Sequence, residues 1–297
     1  MPSLTVNYVT DRQNEIVSYW KLGNQITGGR WYHIFRAAPK IVSSSQGYGY
    51  VLKTVNPLLS GVQREQAIDR LGREAWATER IVHPNVVRVL DAELDFAPFF
   101  LVQPWIEGKS FDRYLATAQS ISLNRMLWAI RQIAEALKAT HEAGRVHLGL
   151  DPSHVILGRT GKVTLLGWSQ SYGESEPVWL PHDQVQLASF SAPESFESGY
   201  QANPASDVYS LGAFIYLCFA MGSPFLGHSI DETRQLHRHH IPTDLQFAQS
   251  LCPVELSRLV KEMLLKNARH RPTMGEVLNR LISIEIEHLV DYRMIPV

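Results

Sequence analysis

What this chain has little of narrows its chemistry. It holds only two cysteines, Cys218 and Cys252, in 297 residues. A single bridge between them stays open, but the pair reads as small core hydrophobes of a reducing compartment. No apolar run reaches the roughly 18 residues that a membrane span needs. The opening segment, MPSLTVNYVTDRQNE, lacks a basic run followed by an apolar run, so it does not read as a signal peptide. A cytoplasmic location is expected. Neither sign of charge is in excess, because 28 Lys and Arg face 29 Asp and Glu, a formal net charge of -1. A nucleic-acid binder or membrane-surface protein would carry a basic surplus, so neither partner is expected. Internal repeats and low-complexity segments are absent. What is there is 45% hydrophobic residues, enough for one large domain or two lobes with a substantial core.

One further scarcity is local. The stretch Arg145 to Ser169, RVHLGLDPSHVILGRTGKVTLLGWS, reads as short strands around a polar loop and a tight glycine turn. Loops held between buried strands are common places for chemistry. His147, Asp151, His154 and Ser169 are polar, yet Leu148, Gly149 and Gly167 stand where charge is wanted. It reads as a catalytic loop without its catalysts.

Residues 1 to about 60 read as strands. Leu4 to Val9, Trp31 to Phe35 and Tyr48 to Val55 are rich in β-formers. Gly28-Gly29 predicts a hairpin turn and Ser43 to Gly49 a second turn. From Gln63 to Val82 the apolar positions Ala67, Ile68, Leu71, Ala75, Trp76 and Ile81 predict an amphipathic helix. His83-Pro84-Asn85 ends it. Val86 to Leu90 and Phe99 to Val102 read as two more strands.

Pro104 should end the sheet, since proline cannot donate to a ladder. Gln103 to Gly108 then reads as a hinge between two lobes, 1–105 and 106–297. Beyond it the chain is mainly helical. Ser110 is a candidate cap for a helix at Phe111 to Ala118. Leu123 to Gly144 is a long helix closed by Gly144. Further helices are expected at Asp207 to Ala220, Asp231 to His239, Pro253 to Leu265 and Met274 to His288, with the opening loop region as the only strand-like part of this half.

A sheet with one helix, a hinge and a helical lobe carrying a loop between strands resembles the protein kinase domain, with a texture similar to its bacterial Ser/Thr (Hanks-type) branch. The resemblance runs from about Gly23 to Ile284. It implies an α+β bilobal fold: an antiparallel N-lobe sheet with one regulatory helix, then a mainly α-helical C-lobe. Tyr50-Val51-Leu52-Lys53 resembles the strand bearing the ATP-positioning lysine, and Glu74 falls where its ion-pair partner is expected. Ala192-Pro193-Glu194 resembles the motif that closes the activation segment. Asp207 matches the aspartate that braces the catalytic loop, and Arg271 the arginine that pairs with Glu194.

The catalytic matches fail. The loop that carries the family's base aspartate and metal-binding asparagine reads His147-Leu148-Gly149-Leu150-Asp151-Pro152-Ser153-His154. The base position is Gly149 and the metal-ligand position is His154. The metal-binding aspartate of the next motif is Gly167, in Gly167-Trp168-Ser169. Both protein ligands for Mg²⁺, which prefers oxygen, are therefore missing. Leu148 replaces the arginine that answers activation-loop phosphate. In the glycine-rich loop only Gly29 remains, and Thr27 and Tyr32 replace glycines whose backbones approach phosphate. Asp151 replaces a lysine near the γ-phosphate, where a carboxylate about 4 Å away would repel a phosphate charge by about 4 kcal/mol at an effective dielectric of about 20. Leu187 replaces a threonine that braces the lost aspartate.

The resemblance therefore implies a pseudokinase: a kinase fold without phosphotransferase activity, binding protein partners, with no resident cofactor and no metal. Two alternatives are weighed beside it. One is a weakly active Ser/Thr kinase that recruits Asp151 or Asp183. The other is a module that senses nucleotide without Mg²⁺. The nucleotide-side candidates are Gly29, Ile34, Val51, Lys53, Glu74, Gln103, Pro104, Ile106 and Ile156, the apolar members forming a slot of the adenine type. Lys53 and Glu74 serve either as a phosphate clamp or as a retained ion pair. His154 reads as a hydrogen-bonded loop residue rather than a lone ligand. His147, Trp168 and Thr78 read as packing residues. Ser169, Ser171, Tyr172 and Ser175 are candidate phosphosites, but Leu148 removes the usual arginine partner, so they read by default as solvated loop.

Overall fold

The computed structural model describes residues 15–41, 47–118, 122–179, 188–248 and 252–293. Leu4 to Val9, most of the Ser43 to Gly49 turn, Asp183 and Leu187 lie outside the described residues. The chain divides into two units, residues 1–75 with 88–105, and 76–87 with 106–297. Residues 76–87, read from the sequence with the first unit, group with the second.

The first unit is one antiparallel sheet of six strands, in the order β1-β2-β3-β4-β6-β5. The strands are β1 (Ile16–Val17), β2 (Trp20–Gly28), β3 (Tyr32–Pro39), β4 (Tyr50–Val55), β5 (Asp91–Glu93) and β6 (Phe100–Pro104). Side chains alternate between two faces. Leu22, Phe35, Leu52, Phe100 and Val102 form one buried cluster, while Trp31, Val55 and Leu101 pack with Ala67 and Leu71 of helix α1 (Gly61–Arg80) in another. The strand expected at Val86 to Leu90 is absent. Val86 makes a single bridge to Leu165 and pairing resumes at Asp91, because Val87 N–H is already spent on the Leu165 carbonyl.

The second unit is mainly helical: α2 (Phe111–Thr117), α3 (Leu123–Glu142), α4 (Pro204–Ala220), α5 (Ile230–His239), α6 (Leu245–Ala248), α7 (Val254–Met263) and α8 (Met274–Arg293). Helix α4 is buried nearly all round. Its start is set by Asn203, whose side chain accepts from Ala205 N–H, and by Pro204 in the first turn. Ser110 sits at the cap position of α2, yet its side chain makes no capping bond. It belongs instead to a short strand, β7 (Lys109–Ser110), which sequence reading missed. The other strands are β8 (Arg145–Val146), β9 (Val155–Leu157), β10 (Val163–Leu165) and β11 (Tyr172–Gly173). They make two small sheets, β10-β9-β7 and β11-β8. Among the described residues no helix is long and apolar enough to cross a membrane. Both cysteines are free and buried.

Candidate functional site

In the first unit the lysine strand and α1 meet through one chain of polar contacts. Lys53 Nζ lies 2.6 Å from Glu74 Oε2, and Gln103 Nε2 donates to Glu74 Oε1 at 2.9 Å. Glu74 and Gln103 are both buried. The strand register explains the meeting: β4 pairs with β6, so Lys53 stands beside Leu101 and Val51 beside Gln103. Lys53 Nζ also sits 4.2 Å from the centroid of the Tyr32 ring, and Tyr32 Oη donates to the Ala67 carbonyl at 3.1 Å. Burial, then the Glu74 charge, pushes the Tyr32 phenol far above its ordinary range. The β2–β3 turn is tied down as well. Gly29 N–H donates to the Tyr32 carbonyl, and Asn56 Nδ2 donates to the Gly29 and Arg30 carbonyls. Trp31 is buried with Ala67 and Leu71. Gly28, Gly29 and Arg30 at the tip of this turn are exposed, and Trp31 anchors its far side in the core. The ammonium that would meet phosphate is covered by an aromatic face and a carboxylate.

In the second unit the three altered positions touch one another. The β9–β10 hairpin pairs Val155 with Leu165. Its extension sets His154 opposite Leu166, whose N–H donates to the His154 carbonyl at 2.7 Å. The His154 ring therefore lies over Gly167. A Cβ built on Gly167 would fall 2.5 Å from both Cγ and Nδ1 of that ring. Gly167 also has a φ of 83°, a left-handed conformation that favours glycine. His154 Nδ1 lies 2.8 Å from the Gly149 carbonyl, which can only accept, so Nδ1 carries the proton. A Cβ on Gly149 would in turn come 3.1 Å from the Gly167 carbonyl. The His154 ring thus fills the space that a side chain on residue 167 would need, and a side chain on residue 149 would meet the Gly167 carbonyl in tight contact.

The residues around them are held firmly. Asp207 accepts from His147 N–H and Leu148 N–H, each at 2.8 Å, and contacts His141 Nε2 at 2.9 Å. Burial alone would raise its carboxyl pKa, but the bond and charge of His141, with His147, hold it below the usual range. His147 Nε2 donates to the Leu166 carbonyl, and its ring meets Trp168 edge-on at 4.4 Å. Trp168 and Thr78 are buried. Asp151 Oδ1 accepts from both the N–H and the hydroxyl of Ser153, capping the short turn Pro152–His154. One oxygen of that carboxylate, Oδ1, serves as the cap.

Leu148 is buried in an apolar cluster with Val146, Tyr172, Tyr200 and Ala202. Hydrophobic contact thus stands where a phosphate-answering arginine is expected. Ser171 and Tyr172 are buried, correcting their reading as solvated loop, whereas Ser175 is exposed. Arg271 meets Glu194 through two parallel bonds of 2.6 and 2.8 Å, the bidentate geometry that makes such pairs strong. Among the described residues no group of three or more His, Cys, Asp or Glu is placed to hold a metal ion.

A family model described as protein kinase domain matches residues 36–281. The chain belongs to the protein kinase family. It is 30% identical over 274 residues to the serine/threonine-protein kinase PkaA of Streptomyces coelicolor, covering 90% of this chain and 49% of that one. It is 28% identical over 219 residues to the serine/threonine-protein kinase PknA of Mycobacterium tuberculosis, covering 70% of this chain and 49% of that one. To the DNA damage-responsive serine/threonine-protein kinase RqkA of Deinococcus radiodurans it is 29% identical over 220 residues, covering 72% of this chain and 33% of that one. The chain spans half or less of the length of these relatives.

Within this kinase domain the nucleotide-side candidates fall in both units. Gly29, Ile34, Val51, Lys53, Glu74, Gln103 and Pro104 belong to the first, and Ile106 and Ile156 to the second. Ile34 is paired between Thr27 and Lys53, and Ile156 between Ser110 and Thr164. Sequence reading placed Gln103 at an adenine-side position but missed its bond to Glu74. It noted the bulk of Tyr32 but not its place over Lys53. No sequence signal marked the bond of Gln103 to Glu74, because it follows from the pairing register of β4 and β6. Residues 149, 154 and 167 offer no carboxylate or carboxamide oxygen for the Mg²⁺ that the family employs. Those positions supply a hydrogen atom, an imidazole and a hydrogen atom, with the imidazole turned onto a carbonyl.

Proposed function

We propose that this protein is a pseudokinase, a kinase fold that binds other proteins and does not transfer phosphate. One observation carries the reading. The His154 ring fills the space over Gly167 and bonds Gly149, so the positions of the base and both metal ligands form one packed unit. Kinase catalysis is almost wholly positioning and charge stabilisation, and this arrangement offers neither to a triphosphate. The Lys53, Glu74 and Gln103 contacts support a first unit whose helix is held in place by its own side chains. The cover of Tyr32 over Lys53 weighs against nucleotide sensing, and the capping role of Asp151 weighs against its recruitment as base or metal ligand.

The test is a radiolabelled ATP transfer assay with Mg²⁺ and with Mn²⁺, on the protein itself and on a general protein substrate. No label above background is expected. Label that disappears in Lys53→Ala would overturn the proposal. A thermal-shift series with millimolar ATP, with and without metal, addresses nucleotide sensing. A ligand far above its dissociation constant must raise the melting temperature, and no rise is expected.

A further inference from the structure

We infer that the second unit carries a docking groove for an acidic peptide segment of a partner protein, apart from the catalytic loop. A cavity of about 500 Å³ opens between α2, the start of α3 and the turn of the β9–β10 hairpin. Phe111 and Met126 are buried beneath it, while Tyr114 and Trp128 line its sides. Lys109, Arg125 and Arg159 are exposed along the same lining. Among the described residues none of these three cations is paired with a carboxylate, and Glu107 is the one acidic residue on the lining. Because the whole chain is close to neutral, this positive surface comes from placement rather than composition.

The walls are fixed before any ligand arrives. Gln132 Nε2 donates to the Gly161 carbonyl at 2.9 Å, and its Oε1 accepts from Val163 N–H at 3.0 Å, so the hairpin is pinned to α3. The Trp128 ring lies flush on that turn: a Cβ on Gly161 would stand 2.2 Å from Cζ3. A rigid groove lowers the ordering cost of binding. Its chemistry is an apolar floor, aromatic sides and a cationic rim. That suits one aliphatic or aromatic anchor flanked by Asp or Glu, with charge steering the encounter. A nucleic acid would need an extended track of cations to release many counterions, which three cations around an apolar floor do not provide.

The inference rests on the protein-binding reading but fails separately from it. The experiment selects a random 12-residue peptide library displayed on phage against the full chain, then measures the enriched peptides by fluorescence anisotropy. Net-acidic peptides with an apolar residue are expected. Their affinity should fall by at least about tenfold in the double variant R125E/R159E, with a smaller fall in R125Q/R159Q. Lysine-substituted versions of the same peptides should bind R125E/R159E better than wild type, a charge swap that misfolding cannot imitate. Enrichment without acidic bias, or acidic peptides that bind R125E/R159E as well as wild type, would overturn the groove. Phosphotransfer by the wild-type chain would overturn the pseudokinase reading and leave the groove untouched.

Discussion

The imidazole of His154 occupies the space that a side chain on residue 167 would enter, with Cγ and Nδ1 both 2.5 Å from a Cβ built there. Two replacements thirteen residues apart are therefore one packing event. Restoring an aspartate at 167 alone would force the ring out and strain a backbone at φ 83°. Gly167→Ala should cost about 1–3 kcal/mol in urea denaturation. In a His154→Ala background the cost should shrink, leaving a coupling of about 1 kcal/mol. Equal costs in the two backgrounds would mean that the ring does not fill that space.

Tyr32 should govern how open Lys53 is to anions. Tyr32→Phe removes only the bond to the Ala67 carbonyl and should cost about 1 kcal/mol. Tyr32→Gly removes the ring from the ammonium as well. A fluorescent trinitrophenyl-ATP titration should detect tighter binding to Tyr32→Gly than to wild type or Tyr32→Phe. Indistinguishable titrations would remove the proposed cover.

The Arg271 side chain is fully buried where it meets Glu194. Glu194→Gln leaves a buried guanidinium without its countercharge. Such a break typically costs about 3–5 kcal/mol. A large drop in melting temperature is expected, and Arg271→Lys alone should lower it too, because an ammonium cannot form the two parallel bonds to Glu194.

Lys266 offers a pH test. Burial, then the positive charge of Arg271, lowers its pKa to about 8 from 10.5, and its ammonium lies 4.4 Å from the Phe225 ring centroid. Below about pH 8 both folded and unfolded chains hold the proton, and the folded state bears the full penalty. Between about 8 and 10.5 the unfolded chain binds a proton that the folded chain has lost, so stability should rise with pH there. Lys266→Met should flatten that rise and stabilise the protein at pH 7 by about 1 kcal/mol, after allowance for water near the amine. Parallel urea titrations of the two proteins at pH 7 and pH 9.5 provide the check.

Much of the fold was legible because it rests on periodicity and punctuation. The α1 pattern placed a helix at Gln63 to Val82 where Gly61–Arg80 is found, and Pro104 ended the sheet as a residue without a donor must. Val86 to Leu90 misled because its β-formers meet a loop that takes Val87 N–H to Leu165. Tyr172 misled because it packs into the apolar cluster around Leu148, and Ser171 because the chain there is tied in by the buried Arg145, whose Nη2 donates to its carbonyl.

Sequence alone determined the family order of elements and the chemical losses at residues 149, 154 and 167. Residue identity at a motif position is a local property, and a glycine cannot act as base in any fold. Only the tertiary structure decided what occupies the vacated places. His154 reaches Gly167 through hairpin register, Tyr32 covers Lys53 through a turn packed on α1, and Lys109, Arg125 and Arg159 share one groove though they come from three segments. Such contacts depend on how distant segments pack, which no window of residues encodes.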